Sequence, residues 1–201
     1  NYMNLSDFSL NTKVALVTGG SSGIGKMMAL SLARAGAYVW IASSRDNADE
    51  TIKELKAEGS EGAFIQVDVT STDALEKMLS HIYSVSGKID ILVNGAGINL
   101  RTSADELTLE QWQKTIDINL TAPYQLSQLA VKKMKESGWG RIINIASLQS
   151  LRAFDNSIPY GASKGGVMQL TRALAQAYSK DGVLVNAIAP GFFRTNLTES
   201  L

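Results

Sequence analysis

The chain contains no cysteine, one histidine and only three prolines in 201 residues. The first absence removes disulfides, thiolate metal sites, cysteine nucleophiles and redox dithiols together. The lone imidazole, His81, falls in a stretch that reads as a helix with no second imidazole beside it, so it is expected to be structural and no metal site is expected. Net charge is missing as well. Nineteen Lys and Arg balance nineteen Asp and Glu, which supplies none of the basic field that a nucleic acid partner usually requires. No apolar run approaches the roughly 18 residues of a membrane span, and the opening NYMNLSDFSLNTK has no positive segment leading into an apolar one. A soluble cytoplasmic protein with neither nucleic acid nor membrane as partner is the resulting expectation.

The residues present are 45% hydrophobic, enough for one sizeable core in a chain of this length, so residues 1–201 are read as a single domain. Residues 13–18 (KVALVT) form an apolar run too short for a helix, followed by a glycine turn and the helix-like MMALSLARAG. A second strand is expected over 37–43, then a polar helix over about 47–58 ending at Gly59. AFIQVD and IDILVNGAG supply two more strands flanking a helix over about 72–85. The alternation continues with a helix from about Leu109, a longer one through YQLSQLAVKKMKESG, the strand RIINIAS, the helix YGASKGGVMQLTRALAQAY and the strand VLVNAIAP. The pattern predicts an α/β fold: a Rossmann-type, doubly wound parallel sheet of at least six strands, covered by helices on both faces. Right-handed crossovers then put the strands' carboxyl ends along one edge, where such a sheet holds its ligand.

Residues 18–25, TGGSSGIG, place Gly19, Gly23 and Gly25 between the first strand and the first helix. Glycine lets backbone turn tightly and approach a pyrophosphate, while the following helix offers unpaired N–H groups to phosphates. Ser21, Ser22 and Ile24 lie in the same turn. Glycine turns also occur for purely structural reasons, but the strand before and the amphipathic helix after favour a dinucleotide site. A mononucleotide P-loop would need Ser or Thr after the lysine, and Met27 follows Lys26. At the end of the second strand no carboxylate appears before Asp46. Arg45 can instead fork onto a 2′-phosphate, with Ser43 or Ser44 donating a hydroxyl, which favours NADP(H) over NAD(H). The alternative is a solvated Arg45 and an NAD that binds without a carboxylate partner. Asp68, with Val69 behind it, is placed to accept from an adenine amino group. Asn94, Gly95, Ala96 and Gly97 bring backbone close to the adenosine side, although ordinary loop chemistry explains both segments too.

Tyr160 and Lys164 stand four apart on one helical face, with only small residues between them. A nearby ammonium stabilises a phenolate, so Lys164 is expected to bring the tyrosine down toward neutral pH, where Tyr160 serves as proton donor and acceptor. Ser147 ends RIINIAS on the same sheet edge as the glycine turn, so its hydroxyl is placed to donate to a substrate oxygen. Asn119, in DIN, is a candidate to hold a water that relays protons to Lys164, or equally to satisfy a backbone carbonyl.

Together these residues resemble the short-chain dehydrogenase/reductase family, marked by a TGxxxGxG turn, an NAG-like segment, an Asn-Ser-Tyr-Lys tetrad with YxxxK, and a PG motif. The resemblance implies hydride transfer between nicotinamide C4 and a carbinol or carbonyl carbon, with Tyr160 as general acid/base. Ser147 would fix the oxygen, Lys164 would also bond the nicotinamide ribose, and Asn119 would support the relay. It further implies cofactor contacts at Pro190, Gly191, Phe192 and Thr195, and helix packing into a homodimer or homotetramer. NGAG replaces the commoner NNAG or NAAG. Members of the family normally continue beyond this point into a substrate lid, a last helix and a last strand, which the chain is therefore expected to lack.

Finer likeness in RIINIASLQS and in the segment from Tyr160 onward is to gluconate 5-dehydrogenases and related sugar-acid and polyol oxidoreductases. Substrate contacts are expected from Ser147, Gln149 and Tyr160. Arg101, Arg152 and Arg194, near loops on the substrate side, suit a sugar carboxylate or an acidic carrier. A 3-oxoacyl-(acyl carrier protein) reductase is one alternative, and a dinucleotide-binding scaffold or sensor without turnover is the other. A Ser-His-Asp hydrolase is disfavoured because Ser147 has no GxSxG elbow.

Overall fold

A computed structural model describes residues 8–191. Six strands, β1 (Val14–Thr18), β2 (Tyr38–Ser43), β3 (Gly62–Gln66), β4 (Ile91–Asn94), β5 (Gly140–Ile145) and β6 (Val183–Ile188), alternate with helices. The helices are α1 (Gly23–Arg34), α2 (Asp49–Ala57), α3 (Thr72–Ser86), α4 (Leu109–Ile116), α5 (Ala122–Ser137) and α6 (Ile158–Tyr178). The strands pair in parallel in the order β3-β2-β1-β4-β5-β6. The order reverses between β1 and β4, which opens a crevice at their carboxyl ends.

Burial on both faces explains the near-continuous apolar strands: β1 is buried at every position. Alternate residues feed two cores. Leu16, Trp40, Leu92 and Ile142 pack with Leu75, Ile82, Leu126 and Met134 on one side. Val17, Val39, Ile41 and Val93 pack with Ala29, Ala33 and Leu55 on the other. Coverage stops short at β6, where Val183 and Val185 are buried but Leu184 and Ile188 are 39% and 48% exposed. Helices flank the sheet on both faces, as expected, and β6 is its least covered strand among the described residues. His81 sits edge-on to Trp40, ring centroids 5.6 Å apart, as a structural residue would.

Two features differ from the sequence pattern. The helices on either side of residue 120 are one run, because α4 passes through a π turn, Asp117–Thr121, directly into α5. Pro123, which has no N–H to give, sits just where the hydrogen-bond register changes. Second, the side chain of Asn94, for which the sequence suggests only a backbone role, turns into the core. Its Nδ2 donates to Ser127 Oγ at 3.1 Å and to Asn144 Oδ1 at 2.8 Å. Asn144 Nδ2 donates in turn to Thr171 Oγ1 at 2.9 Å, tying β4, β5, α5 and α6 together. Asn144 has no exposed surface, so we predict that Asn144→Ala, by leaving these partners unpaired, costs about 2 to 3 kcal/mol in urea unfolding. A loss below about 0.5 kcal/mol, the level of an ordinary surface change, would show that the network holds nothing.

Candidate active site

The crevice is a cleft of about 490 Å³ that begins at the turn between β1 and α1. Gly19 has φ +67°, and a Cβ there would lie 2.8 Å from the carbonyl oxygen of Gly95. A Cβ on Gly25 would run into the Gly19 carbonyl, so neither position accepts a side chain without moving backbone. Ser22 caps α1 without a side-chain hydrogen bond, leaving the first-turn N–H groups toward the cleft available to phosphate oxygens.

At one end of the cleft Ser43 Oγ accepts from Ser21 Oγ at 3.0 Å and from the Arg45 amide at 3.1 Å. Its hydroxyl oxygen thus fixes the bend that carries Ser44 and Arg45 into the cleft wall. Arg45 forms no ion pair among the described residues, and β2 itself ends without a carboxylate, the first being Asp46. Asp68 Oδ1 accepts from the Thr70 amide at 2.9 Å and from Thr70 Oγ1 at 2.7 Å. These bonds hold its carboxyl below the usual range and leave Oδ2 without a protein donor among the described residues.

At the other end Ser147, Tyr160 and Lys164 line the same wall. Ser147 follows β5 and caps a three-residue turn, Leu148–Ser150, with its Oγ accepting from the Gln149 amide at 3.1 Å. That bond uses an oxygen lone pair and leaves the hydroxyl proton to be directed at Tyr160 on the same wall. Lys164 is 4% exposed, and its Nζ donates to the Ile145 carbonyl at 2.6 Å. Burial brings its pKa down to about 8. Nζ stands 5.6 Å from the centroid of the Tyr160 ring.

The tyrosine departs from the expectation drawn from spacing. Burial raises the Tyr160 pKa above its ordinary value, and hydrogen bonding from Ser147 opposes this. Desolvation disfavours the Lys164 ammonium as well, so burial acts against both charged forms. In the protein without ligand the phenol therefore keeps its proton at neutral pH.

Asn119 is 1% exposed in the π turn. Its Oδ1 accepts from the Ile98 amide at 2.8 Å, while Nδ2 donates to the Ile98 carbonyl at 2.8 Å and to Ser163 Oγ at 3.1 Å. Both Nδ2 donors are used, and the side chain pins the segment that lines the cleft. Gly95, Ala96 and Gly97 are in that lining and Asn94 is not.

Ser21, Ser22, Gly23, Ile24, Val69, Pro190 and Gly191 also line the cleft. Gln149 does not line it, and its Oε1 is buried without a partner. Phe192, Arg194 and Thr195 lie outside the described residues. Val67, Ile98, Ile118, Ile145 and Ala146 complete the wall. Nothing in the sequence singles them out, because an apolar side chain beside a strand end, in a loop or in a helix reads as core. No described helix is long and apolar enough to cross a membrane, and no group of three or more metal-ligating side chains occurs among the described residues.

The family model described as short chain dehydrogenase matches residues 13–201. A 3-oxoacyl-[acyl-carrier-protein] reductase of Synechocystis is 39% identical over 195 residues, 96% of this chain and 79% of that protein. A 2-dehydro-3-deoxy-D-gluconate 5-dehydrogenase of Escherichia coli is also 39% identical, over 200 residues, 99% of this chain and 79% of its own. Among solved structures, a gluconate 5-dehydrogenase from Burkholderia cenocepacia in complex with NADP and tartrate superposes with a TM-score of 0.92 at 33% identity. The match covers 98% of this chain and 78% of that one. The family pattern thus runs through nearly every element of the sheet and both ends of the cleft, and the chain belongs to the short chain dehydrogenase family.

Proposed function

We propose that the protein is an NADP(H)-dependent oxidoreductase interconverting a secondary alcohol and a ketone on a sugar acid or polyol, with Tyr160 as general acid/base. The observation that carries this reading is one cleft with two different ends. Ser147, Tyr160 and Lys164 converge at one, while Arg45, which forms no ion pair among the described residues, marks the other. A dinucleotide fits the elongated wall between them, where glycines permit close backbone approach and α1 presents free amides.

NADP(H), when bound, supplies or accepts the hydride at nicotinamide C4. The Ser147 hydroxyl donates to the substrate oxygen, and the Tyr160 phenol gives up its proton to that oxygen as the carbonyl is reduced. Lys164 has two protons left after its bond to Ile145, available to ribose hydroxyls and to return a proton to Tyr160. Because burial keeps the phenol protonated, ketone reduction is served at neutral pH. Alcohol oxidation needs the phenolate, so its rate should climb with pH.

Arg45→Ala tests the cofactor assignment. We predict a loss of about 10- to 100-fold in NADPH affinity, the worth of a charge-assisted bidentate contact, with NADH affected less than threefold. Equal weakening of both would remove Arg45 from phosphate recognition.

Two features support an anionic sugar as substrate. Arg101 and Arg152 are exposed on loops that the Thr102 amide joins by donating to the Asn156 carbonyl at 3.2 Å, next to the turn of Ser147. The relatives named for gluconate derivatives share this chain's length almost completely. A second reading, reduction of a 3-oxoacyl thioester, is favoured by the equal identity to the Synechocystis reductase. Steady-state assays of 5-keto-gluconate against an acetoacetyl thioester, each with NADPH, separate the two.

A further inference from the structure

We propose that Ser150 is a positioning residue of this site: its hydroxyl joins the turn that carries Ser147 to the helix that carries Tyr160 and Lys164, and so sets the separation of the two reacting hydroxyls. The inference rests on the assignment of Tyr160 as the proton-transferring group.

Ser147 and Tyr160 come from different elements, the exit of β5 and the first turn of α6. Their separation is therefore set by how the three-residue turn docks on α6. The Ser150 Oγ stands at that junction. It accepts the Ser147 main-chain amide at 3.2 Å and donates to the Lys164 main-chain carbonyl at 2.7 Å. Within the turn the Ser150 amide returns to the Ser147 carbonyl at 2.9 Å, closing a reciprocal cap around the residue that carries the substrate-facing hydroxyl. Lys164 is thus gripped twice, by β5 at its Nζ through the Ile145 carbonyl and by Ser150 at its own carbonyl.

An alanine at 150 keeps the fold of the turn available but leaves the Ser147 amide without its partner and cuts the tie to α6. Reacting groups held by packing alone drift, and displacements of about 1 Å can cost on the order of 100-fold in rate. The Tyr160 phenol loses part of the hydrogen bonding from Ser147 that offsets its burial. The phenol should consequently titrate at higher pH in the variant.

The first readout does not depend on the substrate. The NADP⁺-bound protein labelled with ¹³Cζ-tyrosine is titrated by NMR, with the Tyr160 signal identified by its loss in Tyr160→Phe. In Ser150→Ala the Tyr160 midpoint is expected to move up by about half a pH unit to one unit, the equivalent of one ordinary hydrogen bond. NADP⁺ affinity should stay within twofold. Ser150→Thr, which keeps the hydroxyl, should return the midpoint toward wild type. In turnover of gluconate with NADP⁺, the rise of rate with pH should shift by the same amount in Ser150→Ala, with kcat reduced about tenfold and KM little changed. An unchanged Tyr160 midpoint in a folded Ser150→Ala protein would overturn the positioning role. Retained turnover in Tyr160→Phe would overturn the general acid/base assignment and this inference with it, whereas an inactive Tyr160→Phe beside a wild-type Ser150→Ala would overturn only the latter.

Discussion

Tyr160→Phe should leave a folded protein that binds NADPH within about twofold of wild type and turns over at least about 1,000-fold more slowly, near the upper range for removing one general acid. The substitution deletes only the phenolic oxygen. Packing of the ring against α6 and the buried Lys164 stays, and stability should change little, since the hydroxyl contributes at most the bonding from Ser147. In reduction the substrate oxygen must collect a proton as the hydride arrives, and Tyr160 holds one at neutral pH because burial favours its neutral form. A residual rate should lose the pH dependence that Tyr160 imposes on alcohol oxidation. Stopped-flow and steady-state rates at 340 nm, alongside fluorescence titration of NADPH, read these quantities separately. Turnover within threefold of wild type would remove Tyr160 from the chemistry.

Lys164→Met should abolish activity and, in the protein free of cofactor, raise stability at pH 7. The side chain is 4% exposed and its pKa is brought down from 10.5 to about 8 by desolvation. Keeping an ammonium there at pH 7 costs about 3 kcal/mol by linkage. Methionine fills a similar volume, at the loss of the bond to Ile145, worth about 1 kcal/mol. The net expectation is a gain of about 1 to 2 kcal/mol, read by urea unfolding. The sign also fixes a pH window. Between pH 8 and 10.5 the unfolded chain holds a proton at Lys164 that the folded chain has released. Wild-type stability should therefore rise with pH across that window, while Lys164→Met shows no such component and its advantage disappears. A variant less stable than wild type at every pH would mean that the buried amine is not under strain. The site would then retain Lys164 for packing as well as for chemistry.

The fold and the outline of the site were legible because their signals are local. The run KVALVT followed by TGGSSGIG carries strand, turn and helix within a dozen residues. The four-residue step from Tyr160 to Lys164 puts both on one face of a helix wherever that helix lies. What the sequence concealed depends on partners far along the chain. Asn94 reads as a cofactor residue beside two glycines, yet its amide meets Asn144, 50 residues away, and Ser127. The π turn at Asp117–Thr121 has no composition of its own, since it arises where Pro123 and the demands of Asn119 on Ile98 meet. The direction of the Tyr160 pKa was also beyond spacing arguments, because it follows from how deeply the phenol is buried. The tie that Ser150 makes between the Ser147 amide and the Lys164 carbonyl likewise joins residues that no local spacing brings together.

The most direct test of the central claim is the absorbance at 340 nm when the protein meets 5-keto-gluconate with NADPH, and in parallel with NADH, at pH 7. The account predicts steady loss of NADPH absorbance, at least tenfold faster than that of NADH at equal low cofactor concentration. Tight NADPH binding with no oxidation by 5-keto-gluconate, other keto sugar acids or an acetoacetyl thioester would contradict it and leave a protein that holds the dinucleotide without using it.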